Sequence, residues 1–223
     1  MNVEYVGHPL IDEVKVTRKA SDVLLSLGMN PDKPVIGLLP GSREKEVTRL
    51  LPVMIKAAAF LHKKDSSRQF LLLKAPTINL SLLEGYTKYS KVPIKIAEEH
   101  SYNALNAATV CMVASGTATL ETAILKKPMV IVYKTSWVTY AIAKIFIKIP
   151  NIGLANIVAG KKIVPELIQN NATPMKIAAE MEKLLSDPRE FNRVQKELSK
   201  IHNWLGDPGA SRRAAKVILK EIA

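Results

Sequence analysis

The feature that most constrains the fold of this chain is a regular alternation of short apolar runs with amphipathic stretches between Val35 and Tyr133. The runs predict strands at Val35–Leu39, Gln69–Ala75, Pro93–Ala97, Val110–Ala114 and Pro128–Tyr133. Because helical segments separate the runs, this spacing favours right-handed βαβ crossovers. The chain is therefore predicted to be an α/β protein, with a parallel sheet covered by helices on both faces.

The flanking regions give weaker patterns. Val3–Val6 reads as one more strand, and no strand signal follows Tyr133. Helical periodicity is predicted over 174–185, ending at an Asp-Pro step, and over a closing segment, Ala210–Ile222. Since the first strand begins without a polar lead-in, we expect this chain to be part of a longer protein.

The net charge of the chain limits the classes of ligand that it is expected to bind. The chain has 32 Lys and Arg against 20 Asp and Glu, a formal charge of +12, which favours phosphates, nucleic acid or an anionic membrane. Aromatic residues make up 5% and the lysines are dispersed, so nucleic acid is not expected. The single cysteine, Cys111, reads as a small buried hydrophobe, and the absence of an export leader predicts a cytoplasmic protein.

One segment, Trp137–Ile149, is the most apolar of the chain, but Lys144 and Lys148 interrupt it. It is shorter than the roughly 20 residues that span a bilayer. It is either a core helix or a surface helix whose apolar face meets acyl chains while its lysines meet lipid phosphates.

Gly41-Ser42-Arg43 forms the first candidate site, because these residues connect a strand to a helix that begins near Glu44. Such a turn presents backbone N–H groups and the positive end of a helix at the carboxyl edge of the sheet, where phosphate binds well. Arg43 would add a forked cationic donor. The alternative is an ordinary turn with a solvated Arg43.

A second turn has the same layout. Ser115, Gly116, Thr117 and Ala118 follow a strand, and Glu121 comes about one helical turn later. Phosphates at the turn and ribose hydroxyls on Glu121 explain the pair of turns together. Taken alone, Glu121 could instead be a capping residue of the helix.

Other polar residues are weaker candidates. Asn156 lies in an apolar loop and must find partners in the backbone or in a ligand. His8, between Gly7 and Pro9, is either structural or catalytic. No histidine shows metal-ligand spacing, so neither a metal nor a cofactor is proposed.

Together these residues resemble the C-terminal half of the lipid-A-disaccharide synthase family, from Tyr5 to about Ser186. The matching motifs are YVGHPL from Tyr5, LPGSR from Leu39, ASGTATLE from Ala114, NIVAG from Asn156 and VPEL from Val164.

The resemblance implies the C-terminal, Rossmann-like domain of a GT-B glycosyltransferase. Residues 1–186 would bind the UDP-sugar donor, and helices in 187–223 would pack on an N-terminal acceptor domain absent from this chain. It implies donor contacts by Gly41, Ser42, Arg43, Ser115, Gly116, Thr117, Ala118, Glu121 and Asn156, with Glu98, Glu99 and His100 facing uracil.

The implied reaction transfers 2,3-diacylglucosamine from UDP to 2,3-diacylglucosamine 1-phosphate (lipid X), with inversion and without a metal, in lipid A biosynthesis. The general base would lie in the absent half, so this chain should bind UDP without turnover. The implied location is the cytoplasmic face of the bacterial inner membrane, and a homodimer or a domain swap is conceivable.

Two other functions fit the residues. Another UDP-sugar GT-B enzyme or a UDP-GlcNAc epimerase would share both turns. A non-catalytic membrane-surface module would not bind UDP.

Overall fold

The computed structural model describes residues 3–98, 102–136 and 151–222. Its strands are β1 (Val35–Leu39), β2 (Gln69–Leu73), β3 (Ile94–Ala97), β4 (Val110–Ala114), β5 (Met129–Tyr133) and β6 (Glu166–Ile168). Its α-helices are α1 (Leu10–Glu13), α2 (Ala20–Ser26), α3 (Glu44–Lys64), α4 (Leu80–Thr87), α5 (Tyr102–Ala107), α6 (Thr117–Ile124), α7 (Leu154–Val158), α8 (Pro174–Ser186), α9 (Pro188–Ser199), α10 (Ile201–Leu205) and α11 (Ala210–Ile222).

The six strands form one parallel sheet in the order β3-β2-β1-β4-β5-β6. The order runs outward in both directions from the central pair, in which Leu39 of β1 lies opposite Val113 of β4. In open α/β sheets a ligand crevice forms outside the carboxyl ends of the strands at such a switch point. The topology therefore places the crevice between the turns that follow β1 and β4.

The predicted strands between Val35 and Tyr133 are confirmed, as is the Rossmann-like α/β fold. β1 and β4 are buried along their whole length, which explains why their sequences are continuously apolar rather than alternating. Cys111 lies within β4, and burial raises the pKa of its thiol to about 12. It packs as the predicted small hydrophobe.

An ion pair fixes the helix that leads away from the first turn. α3 packs against α8, and Arg68, just before β2, bonds both carboxylate oxygens of Glu182 on α8 at 2.7 and 3.0 Å. The Arg68 side chain is 7% exposed. Its hydrogen bonds lower the pKa of Glu182, so the pair is charged at neutral pH. Arg68 Nη1 also donates to Leu61 O of α3 at 3.3 Å, so this arginine links α3 to α8.

Two strand predictions are wrong. Val3–Val6 forms no strand; it is held instead by the C-terminal helices, through the Tyr5 hydroxyl to Trp204 O and Arg213 Nε to Val6 O. A strand that the sequence did not reveal, β6, pairs with β5. It is three residues long and half-buried, so its hydrophobic signal is weak.

The first helices after Asp187, α9 and α10, pack on this domain. Asp187 ends α8 and accepts backbone bonds at the start of α9, as the Asp-Pro stop predicted. α9 and α10 bury Val194, Leu198 and Ile201 in the domain core. α11 is present as predicted, but docking of 187–223 onto a further domain stays a prediction.

Across the described ranges, no helix is long and apolar enough to cross a membrane. The apolar segment Trp137–Ile149 lies outside the described residues.

Candidate functional site

A cleft of about 390 Å³ opens at the carboxyl ends of β1 and β4, at the switch point of the sheet. The two turns and the helices beside them contribute to its lining Gly41, Ser42, Arg43, Glu46, Tyr102, Ser115, Gly116, Thr117, Ala118 and Glu121. The two predicted turns, more than 70 residues apart in sequence, therefore share one cleft because β1 and β4 are neighbours.

The turn after β4 is open. Gly116 has φ 155°, and apart from its neighbours Ser115 and Thr117 no described residue has an atom within 4 Å of the position a Cβ would take there. The N–H groups of the first turn of a helix have no partner within that helix, so Gly116, Thr117 and Ala118 present donors at the start of α6. Such a group of donors at a positive helix end suits an anion.

Ser115 contributes less than the sequence suggested. Its N–H donates to Val132 O in the sheet, and its hydroxyl donates to Ile152 O at 2.9 Å. Both of its hydrogens are therefore in use, and Ser115 offers the cleft only acceptor lone pairs. The contact ties the turn to the segment that precedes α7.

Glu121 faces the cleft from α6, where its Oε1 lies 3.5 Å from the hydroxyl of Tyr102. Burial, then the nearby carboxylates of Glu121 and Glu13, raise the pKa of Tyr102 to about 12. The phenol is therefore protonated at neutral pH. A carboxylate beside a phenol at this edge can accept bonds from vicinal hydroxyls of a sugar.

The turn after β1 is closed by a carboxylate. Glu46, in the first turn of α3, accepts a bond from Ser42 N at 3.2 Å and pairs with Arg43 Nη1 at 2.9 Å. The Thr77 hydroxyl donates to Ser42 O at 2.6 Å and secures the other side of the turn. The Arg43 side chain is 80% exposed and can reach into the cleft.

Asn156 does not line the cleft. Its side chain is fully buried, and its amide bonds Val164 O, Glu166 Oε1 and the N–H groups of Ile163 and Val164. These bonds leave its polar atoms no capacity for a ligand, so the backbone alternative explains this residue.

Glu166 completes the same network. Its two oxygens accept bonds from Ile152 N and Gly153 N at 2.9 and 3.0 Å. Because Ile152 O in turn holds the Ser115 hydroxyl, Asn156 and Glu166 act on the cleft by positioning its wall.

Of the three residues predicted to face uracil, only Glu98 lies within the described residues. Glu98 follows β3 and is exposed, outside the cleft lining, whereas Glu99 and His100 lie outside the described residues. His8 accepts a bond from Leu10 N through Nδ1, which fits the structural alternative.

Two cleft residues escaped sequence reasoning. Glu46 could have been found, since an acidic residue in the first turn of a helix often reaches back over the preceding turn. Tyr102 gives no sequence signal, because only the fold brings its hydroxyl to Glu121.

Comparison with known proteins decides the family. The profile of the lipid-A-disaccharide synthetase family matches residues 1–221. This chain belongs to that family. Curated lipid-A-disaccharide synthases of Syntrophus aciditrophicus and Geobacter metallireducens are 43% and 37% identical to it, over 100% and 99% of this chain. The chain spans 58% and 57% of the length of those two relatives.

Solved structures confirm the fold. A UDP-GlcNAc 2-epimerase from Neisseria meningitidis bound to UDP-GlcNAc matches with a TM-score of 0.61 at 15% identity, over 94% of this chain and 51% of that one. The calicheamicin glycosyltransferase CalG4 matches with a TM-score of 0.56 at 19% identity, over 87% and 45%. Such a likeness supports a GT-B-type domain with C-terminal helices in this family member.

Proposed function

We propose that this chain is the donor-binding part of a lipid-A-disaccharide synthase and that it binds UDP-2,3-diacylglucosamine through its nucleotide. The observation that carries this proposal is the cleft itself, in which the starts of α3 and α6 meet at the switch point of a parallel sheet. The family to which the chain belongs supplies the sugar-transfer chemistry.

In this proposal the diphosphate lies between the two turns. Gly116, Thr117 and Ala118 donate backbone N–H groups to one phosphate, and Arg43 provides the cation for the other. Glu121, with the phenol of Tyr102 beside it, accepts bonds from the ribose hydroxyls. Uracil lies toward the carboxyl end of β3, where Glu98 follows the strand.

The groups on the cleft suit a leaving diphosphate. As the bond from the anomeric carbon to the diphosphate breaks, negative charge develops on the phosphate oxygens. Helix N-termini and a guanidinium held in place before reaction stabilise that charge without reorganisation. The acceptor, lipid X, attacks from the opposite face and inverts the anomeric centre. We propose that its binding surface and general base lie in the part of the relatives that this chain does not span.

The surface charge fits a lipid substrate. A formal charge of +12 attracts an anionic membrane, which is where an acylated donor and acceptor reside. We accordingly propose peripheral association with the cytoplasmic face of the inner membrane.

Calorimetric titration of the purified chain with UDP, beside ADP, tests the donor-binding role. The proposal predicts saturable binding of UDP that Glu121→Ala and Arg43→Ala both weaken, together with no disaccharide product from the chain alone. Equal binding of ADP, or UDP binding that neither substitution changes, would contradict it.

A further inference from the structure

Glu46 occupies the cation that the proposed function assigns to phosphate, Arg43, and the neighbouring backbone donor Ser42 N. Its carboxylate bonds Ser42 N and Arg43 Nη1, at 3.2 and 2.9 Å, at the edge of the cleft. Its side chain is 26% exposed, so it is partly withdrawn from water, whereas Arg43 is 80% exposed. A negatively charged group of this chain thus already lies where an anionic ligand would bind.

Gly41 shows that the turn is shaped around this carboxylate. A Cβ at Gly41 would lie 2.5 Å from Glu46 Oε2 and 2.7 Å from Glu46 Cβ, and the φ of 119° is one that glycine tolerates best. The lack of a side chain at Gly41 is what lets Glu46 fold back over the turn.

One N–H and one guanidinium edge cannot serve two anions fully at once. A phosphate oxygen that takes Ser42 N must displace Glu46 Oε2, and a phosphate that takes the same edge of Arg43 must displace Oε1. The carboxylate also repels a phosphate that approaches without displacing it.

We propose that Glu46 is a displaceable internal anion that sets the affinity and the charge specificity of the cleft. In the empty cleft its carboxylate holds Ser42 and Arg43 in place, and on binding it yields them to the diphosphate. Only a ligand with sufficient negative charge offsets the lost contacts, so the neutral nucleoside gains nothing there. This inference rests on the proposed function and deepens it.

A purely structural role predicts a different behaviour. A glutamate in the first turn of a helix commonly caps it by accepting a backbone bond, which stabilises the helix regardless of any ligand. Under that role, neutralising Glu46 leaves UDP affinity unchanged or weakens it.

The experiment compares UDP and uridine binding to the unmodified chain, Glu46→Gln and Glu44→Gln by calorimetry. Glutamine keeps an oxygen that can accept from Ser42 N but removes the charge. Glu44 is the matched control, since it lies in the same helical turn, is exposed and does not line the cleft. We expect Glu46→Gln to tighten UDP binding about fivefold, Glu44→Gln to change it less than about twofold, and uridine binding to stay constant.

Equal or weaker UDP binding by Glu46→Gln, or an equal gain in Glu44→Gln, would overturn the inference while leaving the proposed function intact. Absence of UDP binding in every chain would overturn the proposed function and the inference with it. A readout without substitution guards against misfolding of the variant. In the unmodified chain the Ser42 amide resonance must shift when UDP is added, and an unmoved resonance in a UDP-bound chain also overturns the inference.

Discussion

The turns after β1 and β4 have the same layout, yet one is closed and the other open. After β1, the Glu46 carboxylate covers the turn and takes the donors of Ser42 and Arg43. After β4, apart from the neighbours Ser115 and Thr117, no described residue has an atom within 4 Å of a Cβ position at Gly116, and the Ser115 hydroxyl donates to Ile152 O. Two strand-to-helix turns that look equivalent in sequence therefore offer a ligand different things.

The two turns therefore contribute differently to ligand binding. The open turn is a preformed set of backbone donors that costs nothing to reorganise. The closed turn has the only side-chain cation among the described lining residues, Arg43, but that cation is already paired with Glu46. The free energy of phosphate binding at the first turn is therefore the phosphate–Arg43 contact less the Glu46–Arg43 contact that it replaces. At the second turn, phosphate contacts add without that loss.

Alanine substitutions at Gly41 and Gly116 should lower the stability of the chain by different amounts. Gly41→Ala should destabilise the chain by about 2–3 kcal/mol, because the new Cβ meets both unfavourable φ and the Glu46 side chain. Gly116→Ala should cost about 1 kcal/mol, since it meets the backbone strain alone. Urea unfolding of both variants measures the difference. Equal losses would show that Glu46 does not pack against the first turn.

The second largest effect is expected on UDP affinity when Arg43 is replaced. Arg43→Ala should weaken UDP binding about tenfold, the value of one charge-assisted hydrogen bond in a partly solvated site. Arg43→Lys, which keeps the charge but loses the fork, should recover part of this loss. Competition titration against a fluorescent UDP derivative gives both values. Unchanged affinity in Arg43→Ala would mean that Glu46 retains Arg43 in the complex.

The smallest effect is expected at Ser115. Ser115→Ala should change UDP affinity less than about threefold, because its hydroxyl hydrogen is donated to Ile152 O rather than to the cleft. It should lower stability by about 1 kcal/mol through the lost bond. Parallel calorimetry and thermal unfolding separate the two. A loss of UDP affinity as large as that of Arg43→Ala would show that the hydroxyl turns toward the ligand.

The sheet was predictable from the sequence because β1 and β4 are buried on both faces. Their sequences are therefore continuously apolar. It failed at β6, where Glu166 sends its side chain to backbone N–H groups in a three-residue strand. It failed at Val3–Val6, whose alternation has no neighbouring strand to pair with.

At the site, the two turns were predictable because strand, small residues and helix are consecutive in sequence. The buried position of Asn156 was not predictable, since its hydrogen-bond partners lie up to ten positions away in the sequence. The position of Tyr102 beside Glu121 depends on the fold, which sequence periodicity does not encode.

A crystal structure of this chain with UDP would show whether both turns bind one diphosphate. We expect one phosphate within hydrogen-bonding distance of the N–H groups of Gly116, Thr117 and Ala118, and the other on Arg43, with the Glu46 carboxylate moved away from Ser42. A UDP whose phosphates lie outside this cleft, or that contacts neither turn, would contradict it.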